Sequence, residues 1–422
     1  MIVRALLMSA LFCLVSLAGC FGGSNDAPEA PRETHVHEID LLVNPSTSTT
    51  VPLYTLNDGE RQMEVVAMGF ELPGQEELEL PNPEIRVHEG DTVIIRVQNL
   101  NPLAHTFHLH GGLVDWDMDG VPYLTQEPIH QGETYEYVFE DMKPGTYFYH
   151  CHVDVAHHMD LGMYGAFIVE EAEPEYQFDD EFTLMIDEWD NCHVHGNTDP
   201  LTGTENSGEF SERVECLERF LQDNLAQNQL LNAARNPVCN MDPPPDIADA
   251  LDCGAHGNPP PQQEPRSWYP TTFPVYAPKY NTYLINGKAF PDTEPLVVEE
   301  GKTYKIRLVN VGEQMHSIHI HGHKALVTHR DGYQLDSPFY VDTLGIMPGE
   351  RYDVLVDADN PGLWAFHDHV GLNVMNDNQS PGGMFTCMAY DDFRGVDAYQ
   401  MERAIDCITE ARKLFQPHAG HA

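Results

Sequence analysis

The chain has 422 residues, 67 of them acidic and 22 basic, for a formal net charge of −45. That length and a hydrophobic content of 41% allow two or three domains with real cores. The charge excludes nucleic-acid binding, because so acidic a surface repels phosphate; we read it as a solvated surface that also attracts cations.

At the N-terminus, Arg4 precedes an apolar run from Ala5 to Ala18, too short to span a bilayer comfortably. The run ends in Leu17-Ala18-Gly19-Cys20, which resembles a lipobox and so implies export with a lipid on Cys20. Residues 1–20 are therefore expected to be a lipoprotein-type signal peptide and 21–35 a tether rich in Gly, Pro, Ser and Asp. Of the nine cysteines, Cys13 leaves with the signal, Cys20 is the anchor, and Cys151 lies between two histidines. The remainder (Cys192, Cys216, Cys239, Cys253, Cys387 and Cys407) is an even number in an exported chain, which suggests up to three disulfides of open connectivity.

From residue 36 onward a pattern occurs twice. Ile85 to Asn99 followed by His105-Thr-Phe-His108-Leu-His110-Gly111 returns as Leu296 to Asn310 followed by His316-Ser-Ile-His319-Ile-His321-Gly322. The register that carries Gly90 onto Gly301 carries all three histidines with it. Further on, Pro144 to His150-Cys151-His152 returns as Pro361 to His367-Asp368-His369. Short alternating runs broken by Gly, Pro, Asn and Asp predict antiparallel β-sandwiches at 36–172 and 271–392. Between them, 173–270 reads as an insert, helical over Glu209 to Ala234, Pro/Gly-rich over Asp242 to Pro265, and holding four of the spare cysteines. The tail, 393–422, opens with a predicted helix over Asp397 to Phe415.

Two histidines one residue apart in a strand share a face, because side chains alternate with period two. The chain has four such pairs at matched places: His108/His110, His150/His152, His319/His321 and His367/His369. Eight imidazoles in that arrangement suit copper. A second site is signalled by the Cys151 thiol with His105, either His157 or His158, and either Met159 or Met163; two histidines, a thiolate and a weak thioether make a blue copper site.

These segments resemble the multicopper oxidases, whose copper motifs are similar to the Leu-His-Gly, His-Cys-His and His-x-x-His-x-His-Gly stretches here, and Met118 to Ile129 resembles the segment that follows the family's first copper motif. The resemblance covers both sandwiches, not the insert or the tails, and points to the two-domain branch. It implies an all-β chain of two cupredoxin-like Greek-key sandwiches carrying four coppers. It places type 1 copper on His105, Cys151, His158 and Met163, since the family's ligand loop has the spacing of His158 to Met163. Type 2 copper falls on His108 and His319, and the type 3 pair on His110, His150, His152, His321, His367 and His369. In the second sandwich Asp368 replaces the cysteine, so no blue copper is expected there, and His316 becomes a relic or a hydrogen-bonding residue; His323 and His329 receive no role.

The resemblance further implies one-electron oxidation of a small reducing substrate, four-electron reduction of dioxygen to water, Asp119 and Asp154 as candidate proton-relay acids, and a homotrimer with clusters at its interfaces. Phenols, Cu(I), Fe(II), Mn(II) and small nitrogen compounds remain open as donors. A copper nitrite reductase, the nearest rival, has Asp where this chain has His108 and lacks a ligand at His152. A copper-binding electron carrier needs only the blue site.

Overall fold

The computed structural model describes residues 34–45, 49–55, 62–189, 280–376 and 380–390. The alternation of Thr92–Asn99 becomes an alternation of burial, with Val93, Ile95 and Val97 fully inside and the residues between them partly exposed. Its sheet runs, in spatial order, Phe70–Glu71, Val36–Val43, Thr92–Asn99, Thr134–Phe139. The facing sheet runs Asn82–His88, Tyr164–Glu170, Gly145–His150, His108–His110. Side chains from both, among them Leu41, Val97, Ile85, Phe107, Tyr149 and Phe167, fill one core. A hairpin of Thr49–Thr55 and Gln62–Ala67 packs Leu53 and Val65 onto it.

The second sandwich has a larger sheet, Thr282–Ile285, Asp180–Trp189, Thr303–Asn310, Arg351–Asp357, Ala325–Arg330, Tyr333–Val341, against Leu296–Val298, Phe385–Tyr390, Leu363–Asp368, His316–Ile320, Thr343–Ile346. One correction to the sequence reading arises here. Asp180–Trp189, placed in the insert, is an interior strand of this sheet, paired parallel to Thr303–Asn310 and antiparallel to Thr282–Ile285. The strand has no histidine motif and is separated in sequence from the rest of its sheet by the long segment that follows, so the repeat does not reveal it.

Gly145–His150 and Thr303–Asn310 are buried along nearly their whole length, since each has a core on one face and the other sandwich on its second face. Phe148, Tyr164, Ala166 and Ile168 of the first sandwich meet Met185, Val309 and Val311 of the second in a common cluster. Within the same contact Arg307, 2% exposed, bonds Thr146 Oγ1 at 2.8 Å and pairs with Glu170, Glu181 and Asp353. The helices expected at Glu209 to Ala234 and Asp397 to Phe415, the signal peptide, the cysteines of the insert and Cys407 lie outside the described residues, while Cys387 is buried and among the described residues bonds to no other cysteine. Among the described residues no helix is long and apolar enough to cross a membrane.

Candidate copper centres

Strand parity sorts the ligands. Along His150-Cys151-His152 the two rings point to one side and the thiol to the other, so one tripeptide serves two sites. On the inner side, Cys151 Sγ lies 3.2 Å from His158 Nδ1 and 3.6 Å from His105 Nδ1, and the two rings are 4.7 Å apart. His105 is fixed by paired backbone bonds with Ile129, and His158 sits on the short helix Val155–Asp160. Met163 is fully buried, and its carbonyl accepts from Cys151 N at 3.1 Å, which holds it beside the thiol. Burial pushes the Cys151 thiol up to about 12, and burial together with His158 brings His105 down to about 2. Among the described residues His105 Nε2, on the far side of its ring, is buried with no hydrogen-bond partner. Two nitrogens and a thiol in so dry a pocket are short of positive charge, and a soft cation among them fits this donor set.

On the outer side stands the first quartet. Antiparallel pairing sets His108 opposite His150, and ring centroids lie 5.0 Å apart for that pair, 5.2 Å for His108/His152, 5.7 Å for His108/His110 and 5.8 Å for His150/His152. The His108 Nδ1–H donates to the Asp119 carbonyl at 2.6 Å, and that of His150 to the Cys151 carbonyl at 2.8 Å, so both present Nε2 outward. His152 Nδ1 is buried and, among the described residues, has no hydrogen-bond partner. Burial, with the neighbouring Arg351 and imidazoles, lowers His110 to about 3, and burial lowers His150 strongly as well. His110 and His150 therefore stay neutral, the state in which an imidazole can ligate a metal. The Asp119 carboxylate is 3.4 Å from His108 Nδ1 and 36% exposed. Asp154 lies in the loop between Cys151 and His158, at φ 47°, and its carbonyl accepts from His158 N.

The second quartet repeats the construction. His319 is paired opposite His367, with centroids 5.7 Å apart, and His319/His321, His319/His369 and His321/His367 stand at 4.7, 5.3 and 5.2 Å. The His319 Nδ1–H donates to the Asp342 carbonyl at 2.7 Å, and that of His367 to the Asp368 carbonyl at 2.7 Å. The difference is exposure: His321 and His369 are open to solvent, while His150 is buried. Among the described residues no ring of one quartet contacts a ring of the other, so within the single chain the two quartets stand apart.

Behind the second quartet, His316 does not face a thiol. Its Nδ1 is 2.7 Å from Asp368 Oδ2 and its Nε2 is 2.7 Å from Glu188 Oε2, with all three side chains fully buried. Burial alone would lower the imidazole, but the two carboxylates outweigh it and raise His316 to about 9. Asp368 is held below the usual carboxylate range against its own burial, by His316, the Val370 N–H and Asn373. Asn373 Nδ2 donates to Asp368 Oδ2 at 2.7 Å, in the place His158 takes beside Cys151. Asp368 N donates to the Met384 carbonyl at 3.0 Å, as Cys151 N does to that of Met163. Glu188, Asn373 and Met384 escaped the sequence reading. Gly383-Met384 repeats Gly162-Met163 and was there to be found, whereas Glu188 lies on the unrecognised strand.

Comparison with known proteins agrees with this geometry. Two models described as multicopper oxidase match residues 77–174 and 260–389. The solved structure of the multicopper oxidase mgLAC is 30% identical, with a TM-score of 0.61 over 86% of this chain and 89% of that one. The chain belongs to the multicopper oxidase family. Within it, the blue copper oxidase of Nitrosomonas europaea is 28% identical at a TM-score of 0.60, over 92% of this chain and 97% of that one. Copper resistance protein A of Pseudomonas syringae pv. tomato is 30% identical over 285 residues, 66% of this chain and 41% of the relative. The chain thus spans less than half the length of that curated relative.

Proposed function

We propose that this chain is an oxygen-reducing copper oxidase that draws single electrons from a phenolic or metal-ion donor. Its type 1 copper would sit on His105, Cys151, His158 and Met163, its type 2 copper on His108 and His319, and its type 3 pair on His110, His150, His152, His321, His367 and His369, four coppers per chain. Bound there, copper supplies the one-electron oxidation of the donor and the four-electron reduction of dioxygen to two waters. The observation that carries this reading is the double use of His150-Cys151-His152, whose thiol meets His105 and His158 while its flanking rings face the quartet. The two sites are thereby joined through a few covalent bonds. Asp119 orients His108 through its carbonyl, and its partly exposed carboxylate is the group placed to hand protons toward the rings. Asp154, on the blue-site loop, is the second acid. Four rings in each half-site favour a three-copper cluster over the single type 2 copper of a nitrite reductase, and over a carrier that needs only the blue site.

The separation of the quartets supports assembly of each cluster between neighbouring copies in a cyclic trimer. The exposed His321 and His369 are the rings such a neighbour would cover. The segment from Arg4 to Cys20 supports export and a lipid anchor. Complementation tests the assembly. His110→Ala damages one half-site and His321→Ala the other. Each variant alone should lose oxygen uptake with a phenolic dye. Co-expressed in equal amounts they should recover about one quarter of wild-type uptake, because a quarter of random interfaces join two intact halves. No recovery would place the cluster within one chain, and wild-type protein that takes up no oxygen with phenols, Cu(I) or Fe(II) would end the oxidase reading.

A further inference from the structure

We propose that Glu188, His316 and Asp368 form a metal-free clamp that stands where a second blue copper would be and positions His367 and His369 for the cluster. The inference rests on the oxidase reading above, and goes beyond it in assigning a task to a site that has lost its own metal. The correspondence is residue for residue: His316 for His105, Asp368 for Cys151, Asn373 for His158 and Met384 for Met163, each with the backbone bond of its counterpart where one exists. The spacing of the donors separates the two pockets. A metal about 2.0–2.3 Å from each ligand holds its donors well over 3 Å apart. The gaps of 3.2 and 3.6 Å around Cys151 allow that, whereas 2.7 Å between Asp368 Oδ2 and His316 Nδ1 is a direct hydrogen bond with no room for an ion.

The clamp is satisfied on every side. Glu188 Oε1 accepts from Glu313 N at 2.7 Å and Gln314 N at 2.6 Å. Asp368 Oδ1 accepts from Ser317 N at 3.1 Å and Val370 N at 2.9 Å. Three segments are tied together: the strand Asp180–Trp189, the turn leading into His316–Ile320, and the chain leaving Leu363–Asp368. These segments carry the second quartet, since His319 and His321 follow His316, and Asp368 is the residue between His367 and His369. The His369 N–H donates to the Ser317 carbonyl at 2.7 Å, next to the clamp's own bond to Ser317. Gly312 belongs to the device, because a Cβ there would collide with Glu188 Oε2. The exposed His369 ring, just past the end of its strand, has little packing to orient it, and the clamp supplies that support from the buried side. Glu188, His316 and Asp368 are therefore positioning residues, not ligands.

Copper-loaded, full-length His316→Phe is the test. The absorption band of the blue site, which is built in the other sandwich, should keep its wild-type amplitude per chain. Copper affinity at the cluster should fall on the order of 10- to 100-fold, with a broadened type 2 signal in electron paramagnetic resonance. The kcat should drop while KM for the donor stays, since the donor meets the blue site. Should His316→Phe fail to fold, Glu188→Ala removes one arm of the clamp and is expected to show the same pattern more weakly, with Glu188→Gln restoring most of the type 2 signal. Wild-type copper content and an unchanged type 2 signal in His316→Phe, or in Glu188→Ala if that is the variant that folds, would overturn the clamp. Wild-type protein lacking both blue and type 2 signals would instead overturn the oxidase reading on which it stands.

Discussion

Both sandwiches raise four imidazoles on two neighbouring strands, and beneath each quartet one residue between the paired histidines decides what the interior holds. In the first sandwich that residue is Cys151, and no direct hydrogen-bonded ion pair closes the pocket around it: burial pushes the thiol up to about 12, and its Sγ stands 3.2 and 3.6 Å from the Nδ1 atoms of His158 and His105. In the second it is Asp368, and the pocket completes itself with Glu188 and Asn373. The lesson is that one backbone frame can present either a donor set suited to a soft cation or a closed ionic cross-link. The donor atoms choose between them, through the gap they leave and the charge they lack.

The comparison is broken most sharply at Cys151. Cys151→Ser should abolish the blue band and reduce turnover by about a thousandfold or more, as loss of an essential electron entry demands. The signal of the type 2 copper should survive, and absorbance, resonance and oxygen uptake measured on one sample would check all three. A variant that stays blue would refute the assignment of the first pocket.

A gain-of-site experiment sharpens the other half. With His316 present and buried Met384 tied through its carbonyl to Asp368 N, D368C/N373H supplies the missing thiolate and imidazole, and should add a second blue band of at most the native amplitude per chain. A folded double variant that takes up copper without added blue absorbance would show that the pockets differ in more than their donors.

The smallest effect is expected in the pH dependence of the metal-free protein. His105 and His110, lowered to about 2 and about 3, are neutral when folded. Their contribution is present above the unfolded value of about 6.5 and is lost as pH falls, because only the unfolded chain takes up the protons. His316, raised to about 9, has the opposite sign: its contribution is full below about 6.5 and is lost as pH rises through 9. Unfolding temperature should therefore fall on both sides of neutrality, and His316→Phe should flatten the alkaline limb alone. An alkaline limb unchanged in that variant would count against the clamp as a charged group.

Much of the site was legible because strand geometry is local. The Leu-His-Gly and His-Cys-His repeats fall on paired strands, and the structure brings His105, Cys151 and His158 together and gathers His108, His110, His150 and His152 at one end of the same sheet. Less was legible wherever a partner came from far along the chain. Glu188 is 128 residues from His316, on a strand that carries no motif and whose sequence reads as part of the insert. Asp368 read as the loss of a thiolate, and only its neighbours show that it gained a hydrogen-bonded role.

The sequence by itself determined which side chains share a face, because alternation along a strand obliges His150 and His152 to point away from Cys151, and His367 and His369 away from Asp368. Only the tertiary structure decided what each face meets: that Glu188 arrives at His316, and that the two quartets remain apart within one chain. Parity is a property of consecutive backbone bonds. Encounters between distant strands depend on how two sandwiches pack, and no local rule of spacing contains that.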